Sequence, residues 1–322
     1  MSDDYLWNRS GSDPDLEKLE KLLAPLGHDA PLDEISLRKS MRRPRWTVVG
    51  VCVVLAAAAA VAIYIALPRS HGPSCAGTTG FAFSGRGGDV SCGGSAVASG
   101  VLPVGAGLDT GAHEASLKIA TIGTAELGPH TRVRLEETSE HHHRLALDEG
   151  KLHATVNAPP RLFEVSTKHT NVVDLGCEYT IEVDATGAGS IIVQHGKVEL
   201  ATPNGMLVVA PMGTHARILA GNQPGVPLTG KNAALAKAID AYEHGAVGAL
   251  AAVLAAAETP DAITLIGLAA IDAPHRAEIL RRLAALSPPP GDITVEAASA
   301  GGAPFDGWRE DVVSSYFGLW RP

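Results

Sequence analysis

Histidine is the residue type in this sequence best suited to metal chemistry, and three of the histidines are consecutive. His141, His142 and His143 form a run in a predicted hairpin loop, and His153 follows in the next predicted strand. Imidazoles that converge can hold zinc or copper. Consecutive residues of a strand point to opposite faces, so at most two of the three can share a face. His141, His143 and His153 are therefore candidate metal ligands, with a solvated loop or a pH-sensing cluster as alternatives.

Catalytic motifs are missing from the sequence. The 322 residues contain no nucleophile elbow, Walker loop, HExxH helix or spaced pair of catalytic carboxylates. The glycine-rich stretch SGRGGDVSCGG lacks the Lys-Ser/Thr that follows the glycines of a phosphate-binding loop. The sequence therefore predicts neither an enzyme nor a cofactor.

Two of the four cysteines, Cys75 and Cys92, bracket the glycine-rich segment CAGTTGFAFSGRGGDVSC. A disulfide between Cys75 and Cys92 would close a loop of about 18 residues, worth about 3 kcal/mol in the chain-entropy model. A metal site would need further ligands nearby, so we predict the disulfide, which requires an oxidising compartment. Cys52 lies in a long apolar run, and Cys177 is left without a predicted disulfide partner.

The long apolar run is the strongest single feature of the chain. Residues 46–67, WTVVGVCVVLAAAAAVAIYIAL, carry no charge over 22 residues, and a helix needs about 20 to cross a bilayer. A buried core helix is rarely so long, and a signal peptide has a shorter leader and a shorter apolar core. The run predicts one transmembrane helix in a lipid bilayer.

Basic residues set the predicted orientation of this span. The five that precede it closely are Arg38, Lys39, Arg42, Arg43 and Arg45, whereas only Arg69 follows it closely. By the positive-inside rule, residues 1–45 stay cytoplasmic and residues 68–322 are exported. The net charge is −9, and an acidic exported portion without a basic patch argues against nucleic acid as a partner.

The predicted cytoplasmic tail, residues 1–45, contains a short amphipathic helix that begins near Pro14. Its apolar stripe consists of Leu16, Leu19, Leu23 and Leu26, and the apolar residues Tyr5, Leu6 and Trp7 precede it. A helix of about 13 residues is marginal in isolation, so the stripe predicts docking in the groove of a partner protein. Docking on the inner membrane surface and self-association are the alternatives.

The exported portion divides by composition. Residues 68–114 are rich in Gly, Ser and Ala without a hydrophobic period, which predicts a linker around the disulfide. Residues 115–220 consist of short alternating runs between turn residues, which predicts an antiparallel β-sandwich or roll. Hairpin turns are expected at residues 148–150, 187–189 and 203–205.

The C-terminal residues 230–322 are alanine-rich and predict a helical region. In the stretch DAPHRAEILRRLAALSPPP, Arg276, Arg281 and Arg282 are expected on the solvated face of a helix. The last stretch, WREDVVSSYFGLW, spaces its apolar residues for a helix that docks on the domain. The fold class predicted for the whole chain is therefore mainly β, with one transmembrane helix and C-terminal α-helices.

One predicted strand, VVDLGCEYTIEV, carries an aspartate, a glycine and a cysteine where valine or threonine would be usual. It follows IGTAELGPHTRVRL, LDEGKLHATV and FEVSTKHTN, and VQHGKVEL comes after it. This order, over residues 117–218, resembles the FecR domain, the periplasmic module of iron-responsive sigma-factor regulators. The motif residues, for which a structural role is expected, are Gly150, Phe163, Val165, Thr167, Asp174, Leu175, Gly176, Tyr179, Val183, Gly196 and Val198.

Two polar residues of this strand have a physical interpretation. Asp174 is expected to accept backbone amides at a glycine bulge, and the alternative is an exposed turn acid. Cys177 is expected to be a buried, unreactive thiol. The strand is therefore predicted to build the fold rather than a catalytic site.

The resemblance implies a function as well as a fold. It implies a single-pass protein of the bacterial inner membrane with a periplasmic β domain, which relays an envelope signal to a cytoplasmic sigma factor. An envelope or outer-membrane protein would be its outer partner. A non-signalling envelope scaffold or binding protein and a histidine-based metal sensor are the alternatives. The sensed ligand, the sign of regulation and the oligomeric state stay open.

Overall fold

A computed structural model describes residues 75–221 and 223–318, which form a two-sheet β-sandwich followed by α-helices. All of these residues belong to one unit of the chain. The predicted tail, residues 1–45, and the predicted span, residues 46–67, lie outside the described residues. Within the described ranges, no helix is both long and apolar enough to span a membrane.

Most strands are short, as the turn residues between them predict. They are β1 Phe81–Arg86, β2 Val90–Cys92, β3 Ser95–Val97, β4 Ser99–Leu102, β5 Gly107–Asp109, β6 Glu114–Ile119, β7 Gly123–Leu127, β8 Arg132–Thr138, β9 His143–Val156, β10 Phe163–Ser166, β11 Asn171–Asp174, β12 Glu178–Val183, β13 Gly189–His195, β14 Lys197–Ala201, β15 Leu207–Pro211 and β16 His215–Ile218. The turns predicted at residues 187–189 and 203–205 lie at the β12–β13 and β14–β15 connections, and both pairs are antiparallel.

The strands form two sheets that share β9. Sheet 1 has the order β4-β1-β6-β7-β9-β12-β13-β16. Sheet 2 has the order β15-β14-β11-β10-β9-β8-β5-β2-β3. Every pairing between described strands is antiparallel except that of β9 with β10. The prediction of a mainly β fold with C-terminal helices is therefore confirmed.

The long strand β9 passes from one sheet to the other at Gly150. Residues 143–149 pair with β8 in sheet 2, and residues 150–155 pair with β12 in sheet 1. Gly150 has φ +100°, and a Cβ there would lie 2.4 Å from the Cα of Thr131. The hairpin turn predicted at residues 148–150 was wrong, because the glycine bends one continuous strand instead of ending it.

The linker predicted for residues 68–114 was also wrong from Phe81 onward, where strands β1 to β5 begin. In β1, Phe81 and Phe83 are buried while Ala82 and Ser84 are exposed. Strands β2 to β5 are only three or four residues long. A period of two is hard to recognise in runs this short, and their register comes from the neighbouring strands.

One apolar core fills the space between the two sheets. Sheet 1 contributes fully buried Phe81, Leu117 and Tyr179, and sheet 2 contributes Leu135 and Phe163. Side chains alternate between the two faces of a strand, so each strand sends every second residue into this core. Burying each large apolar side chain contributes about 1.5–3 kcal/mol.

The C-terminal region has its own apolar core. Its helices are α1 Ala233–Glu243, α2 Ala249–Ala256, α3 Ala262–Ile271, α4 Arg276–Leu286, α5 Val295–Ser299 and α6 Ala303–Gly318, with a 3₁₀ turn at Thr259–Asp261. Trp308 of α6 is fully buried in this core together with Leu265 and Leu280. The last stretch of the chain therefore docks as a helix, as its spacing predicted.

Two of the arginines predicted on the solvated face of α4 contact other helices instead. Arg276 Nε donates to the carbonyl of Ala269 at 2.8 Å, and Arg282 Nη2 donates to that of Ala257 at 2.5 Å. These carbonyls lie at the C-terminal ends of α3 and α2, where cations are favoured. Tertiary packing decides which helix ends lie beside these arginines. The sequence of α4 alone does not show this.

The helices pack against the side of the sandwich where β15 and β16 lie. β15 contacts α3 and α6, and a Cβ on Gly267 of α3 would lie 3.2 Å from Val208 Cγ1. Arg217 of β16 binds Glu243 of α1, with 2.6 Å between Nη2 and Oε2. Residues 224–228 bridge to β16 through the pairs His215–Leu228 and Ile218–Pro224. The sandwich and the helices are therefore joined along this side.

Candidate functional site

The strand-like stretch VVDLGCEYTIEV crosses between the two sheets. It begins in β11 of sheet 2 and ends in β12 of sheet 1, and Leu175, Gly176 and Cys177 form the connection. The chain must turn sharply there, and Gly176 supplies a φ of +86°. Gly196 lies against this turn, and a Cβ on it would be 2.4 Å from the carbonyl oxygen of Gly176. Gly176 therefore provides the backbone conformation of the turn, and Gly196 allows the close approach of backbone to backbone.

Asp174 holds this turn with a carboxylate that is almost fully buried. Its Oδ1 accepts a hydrogen bond from the Gly176 N–H at 2.6 Å, and its Oδ2 accepts one from Cys177 Sγ at 2.7 Å. The carbonyl of Asp174 accepts a further bond from the Arg161 N–H at 2.7 Å. Only 1% of Asp174 is exposed, so it is not an exposed turn acid. It is the internal acceptor of an Asx-type turn.

Burial governs the protonation of the three titratable groups at this turn. Burial raises the pKa of Asp174, against the hydrogen bonds from Cys177 and Gly176 that favour the carboxylate. Burial, and then the charge of Asp174, raise the pKa of the Cys177 thiol and that of the Tyr179 hydroxyl well above their usual values. A neutral, buried thiol is a poor nucleophile and a poor metal ligand. The chemistry of this turn therefore supports the fold.

Leu175, on the solvent side of the turn, faces a cleft of about 200 Å³ between the sandwich and α6. The remaining lining residues are Lys197, Glu199 and Val209 of the sandwich and Asp306, Arg309, Glu310 and Val313 of α6. Charges of both signs line the cleft, and some are already paired. Arg161 Nη2 donates to Glu199 Oε1 at 2.7 Å, and Arg309 lies 2.8 Å from Asp306. The cleft is thus the place where the motif and the C-terminal helix meet.

The other motif residues lie in the core or in turns. Those that are buried between the sheets are Phe163, Val165, Tyr179, Val183 and Val198. Thr167 closes the β10–β11 turn, because its Oγ1 donates to the Thr170 carbonyl at 2.8 Å and accepts from the Thr170 N–H at 3.1 Å. Together with the bend at Gly150, these positions build the sandwich and are spread over its length.

The histidine run occupies the β8–β9 hairpin, but its side chains diverge. His142 contacts Glu137 and Glu164, whereas His143 is buried against the ring of Phe81, with 5.6 Å between ring centroids. His153 lies in the half of β9 that belongs to sheet 1. In residues 75–221 and 223–318, no group of three or more His, Cys, Asp or Glu residues is placed to hold a metal ion. The set His141, His143 and His153 is therefore not brought together.

The structure instead joins two histidines that no sequence motif connects. Glu178 of β12 contacts His153 Nε2 at 3.3 Å and His195 Nδ1 at 3.0 Å. Thr180 extends this network, because its Oγ1 lies 3.0 Å from His153 Nδ1 and accepts from Gln194 at 2.8 Å. The residues come from three neighbouring strands, so only the strand register could have identified them.

The predicted disulfide between Cys75 and Cys92 is present, with 6.1 Å between the two Cα atoms. It borders a groove of about 490 Å³ that also contacts β3 and β4. The carbonyl of Cys75 accepts a hydrogen bond from the Val101 N–H of β4 at 3.1 Å. Cys75 is therefore fixed to both sheets of the sandwich.

The residues predicted to bind a partner in the tail lie outside the described residues. They are Tyr5, Leu6, Trp7, Leu16, Leu19, Leu23 and Leu26. They stay a prediction from the sequence.

Comparison with known families agrees with the resemblance noted in the sequence. Residues 108–199 match the family model described as FecR protein, and the matched range begins in β5 and ends in β14. It includes the Asp174 turn and the bend at Gly150. No curated protein matches the chain.

Two solved structures are also similar over part of the chain. Both are crystal structures of a protein described as a "putative anti-sigma factor" from Parabacteroides distasonis ATCC 8503, at 21% identity and a TM-score of 0.28. Each match covers 33% of this chain and 49% or 50% of the other. The chain thus matches about half the length of those proteins.

Proposed function

We propose that this chain, with its FecR-type β domain, is a single-pass signal transducer of the bacterial inner membrane. The sandwich and the helices would lie in the periplasm, residues 46–67 would cross the bilayer, and residues 1–45 would bind a sigma factor of the extracytoplasmic-function type. An envelope or outer-membrane protein would supply the signal from outside.

The single observation that carries this proposal is the match of residues 108–199 to the FecR protein family. The structural role of the motif supports it, because Asp174 accepts the Gly176 N–H, Gly176 supplies the positive φ of the turn, and Gly196 packs against the turn where a Cβ would not fit. A family match supports the proposal more strongly when the matched residues contact one another in the structure than when they are unrelated in space.

The physical properties of the tail support the inner half of the proposal. A helix of about 13 residues is marginal in water on its own, so an apolar stripe of four leucines favours a binding partner. The polar residues Glu17, Lys18, Glu20 and Lys21 lie outside this stripe. That separation allows the two faces of the helix to be tested independently.

The attachment of the domain supports the outer half. Cys75 is tied to β2 by the disulfide and to β4 by a backbone hydrogen bond. A displacement of the sandwich would therefore move Cys75, from which the chain leads back to residues 46–67. The cleft beside Leu175 and the groove beside the disulfide are two of the concave surfaces on the described residues that offer an outer partner a contact.

The test is affinity capture with the full-length, tagged chain from solubilised membranes of its own cells, followed by mass spectrometry. The stripe variant carries Leu16→Ala, Leu19→Ala and Leu23→Ala, and the matched control carries Lys18→Ala, Glu20→Ala and Lys21→Ala. Recovery of a sigma factor by the wild type and the control, with loss in the stripe variant, is expected. Equal recovery by all three chains, or none by the wild type, would contradict the proposal. The second result would favour a non-signalling envelope scaffold.

A further inference from the structure

We propose that the side chain of Leu319 fills an apolar groove in the C-terminal helical region. This groove, called the α6 groove below, is lined by the 3₁₀ turn, the start of α3, the end of α4 and one face of α6. Leu319 follows α6 directly in the sequence and lies outside the described residues. The inference does not depend on the function proposed above, since the helical region alone forms the groove.

The α6 groove has the chemistry and the volume of a site for one aliphatic side chain. Its walls include Ile263 of α3, Leu286 of α4 and Val312 of α6, and the two β-branched residues are buried. Among the described residues, no charged side chain lines it. Its volume is about 140 Å³, and a cavity that one removed leucine side chain leaves in a core is on the order of 150 Å³. One leucine is therefore a suitable occupant.

The spacing of the α6 residues in the groove singles out Leu319. Val312, Ser315 and Tyr316 line the groove, and they share a face because residues three or four apart are neighbours on a helix. Leu319 follows these residues at seven, four and three positions. It is therefore the next residue on the face of α6 that borders the groove.

The sequence allows α6 to continue through Leu319. The helix includes Gly318, one residue before it. A proline disfavours the helical conformation in the residue that precedes it, so Pro322 limits the helix only from Arg321 onward. Three helical residues advance about 4.5 Å along the axis. Leu319 thus lies within one turn of Tyr316, at the edge of the groove.

The neighbouring Trp320 is the alternative occupant, and the helical phase directs it elsewhere. Successive residues of a helix are rotated by about 100°, so Trp320 follows Val313 at seven positions and shares the face of that residue. Val313 lines the cleft beside Leu175, which lies on another side of α6. The groove and the cleft therefore select different residues, and the groove selects Leu319.

Occupation of the groove holds the last turn of α6 against α3 and α4. A helix end has carbonyls without helical partners and is prone to fraying. The same helix supplies one wall of the cleft beside the FecR motif, through Arg309 and Val313. Leu319 is thus a latch that keeps this wall of the cleft in place.

Cysteine labelling of the full, detergent-purified chain tests the position of residue 319. Leu319→Cys is compared with Ser314→Cys, because Ser314 is an exposed residue of the same helix. A docked side chain reacts only through local opening, so Leu319→Cys is expected to react with a maleimide at least about tenfold more slowly than Ser314→Cys. Peptide mass spectrometry measures both rates. Equal rates would overturn the proposal.

A variant that fills the groove tests whether the groove is the source of this protection. Ser315 is exposed and lines the groove, so Ser315→Phe places an aromatic ring there. Combined with Ser315→Phe, Leu319→Cys is expected to react as fast as Ser314→Cys. Protection that persists in a chain with wild-type thermal unfolding would show that residue 319 docks elsewhere, and it would overturn the proposal.

Charge substitution gives a measurement that does not depend on labelling. Leu319→Asp places a carboxylate in the apolar groove, and Ser314→Asp is the control for the effect of the charge on the end of the helix. The midpoint of thermal unfolding of Leu319→Asp is expected to lie at least about 3 °C below that of Ser314→Asp. Equal midpoints would overturn the docking of Leu319.

Discussion

The Sγ of Cys177 lies 2.7 Å from Oδ2 of Asp174, at the point where the chain leaves sheet 2 for sheet 1. Both residues are buried, and Oδ1 of the same carboxylate accepts a hydrogen bond from the Gly176 N–H at 2.6 Å. Substitution of Asp174 by alanine removes two acceptors from buried donors and is expected to cost about 1–3 kcal/mol of unfolding free energy. Denaturant unfolding measures this cost. The exposed Asp89→Ala is the control, and an equal effect of the two variants would contradict the role given to Asp174.

Replacing Cys177 separates the hydrogen bond from the volume of the side chain. Cys177→Ala leaves Oδ2 of Asp174 without its donor and is expected to destabilise the protein by about 1–3 kcal/mol. Cys177→Ser keeps a donor and should lose less than the alanine variant. If serine proved as costly as alanine, the thiol would act through packing and not through its bond to Asp174.

The bend at Gly150 predicts a steric effect. Gly150→Ala places a Cβ 2.4 Å from Thr131 Cα, and the residue also keeps a positive φ. Gly205→Ala is the matched control, since Gly205 has φ +84° but no atom within 4 Å of the added Cβ. The control is expected to lower the unfolding free energy by about 1–2 kcal/mol, because alanine is disfavoured by that amount in the left-handed backbone conformation. Gly150→Ala should cost clearly more, and equal unfolding free energies would contradict the close approach of β9 to Thr131.

The ion pair between Arg217 and Glu243 predicts coupling of the sandwich to the helices. The side chain of Glu243 is 5% exposed and that of Arg217 is 34% exposed. Loss of Arg217 leaves the buried carboxylate of Glu243 with fewer partners. Arg217→Ala is therefore expected to lower the unfolding free energy by about 1–3 kcal/mol, a range that includes the screening of the partly exposed arginine by solvent. A double-mutant cycle with Glu243→Ala measures the coupling. Asp240→Ala, at an exposed partner of the same arginine, should change stability by less than about 1 kcal/mol.

His143 predicts how stability depends on pH. Burial and the neighbouring His142 lower the pKa of His143, whereas Glu137 raises it. A histidine whose pKa is lowered on folding contributes stability above its unfolded pKa of about 6.5, and this stability is lost as the pH falls towards the folded value. Unfolding free energies measured between neutral and mildly acidic pH should therefore fall less steeply for His143→Gln than for the wild type. The exposed His141→Gln should follow the wild type, and a parallel fall of all three chains would contradict the prediction.

The disulfide predicts a stability difference that a reductant reveals. Cys75 and Cys92 are 17 residues apart, and opening a loop of that size is expected to cost about 3 kcal/mol. The double variant Cys75→Ser, Cys92→Ser should match the reduced wild type in thermal unfolding, and reductant should not change the variant further. A wild type that is insensitive to reductant would contradict this contribution.

The sequence by itself determined the strands and turns that depend on residues close together in the chain. Alternating runs such as YTIEV specify strands, and Asn204 with Gly205 specifies a turn, because short-range backbone preferences decide both. The spacing of Cys75 and Cys92 was sufficient for the disulfide. The order of five short motifs, including those around Asp174 and Gly196, was enough to note the resemblance to the FecR family that residues 108–199 match.

Tertiary structure alone decided everything that depends on which segments become neighbours. Gly150 bends a strand instead of ending it, because Thr131 of another segment packs against it. Strands β2 to β5 carry too few residues for a period to be recognised, and their partners in the sheets define them. Arg276 and Arg282 contact the ends of other helices, and Glu178 joins two histidines from two other strands. Register and packing are long-range properties, and a pattern confined to one segment does not contain them.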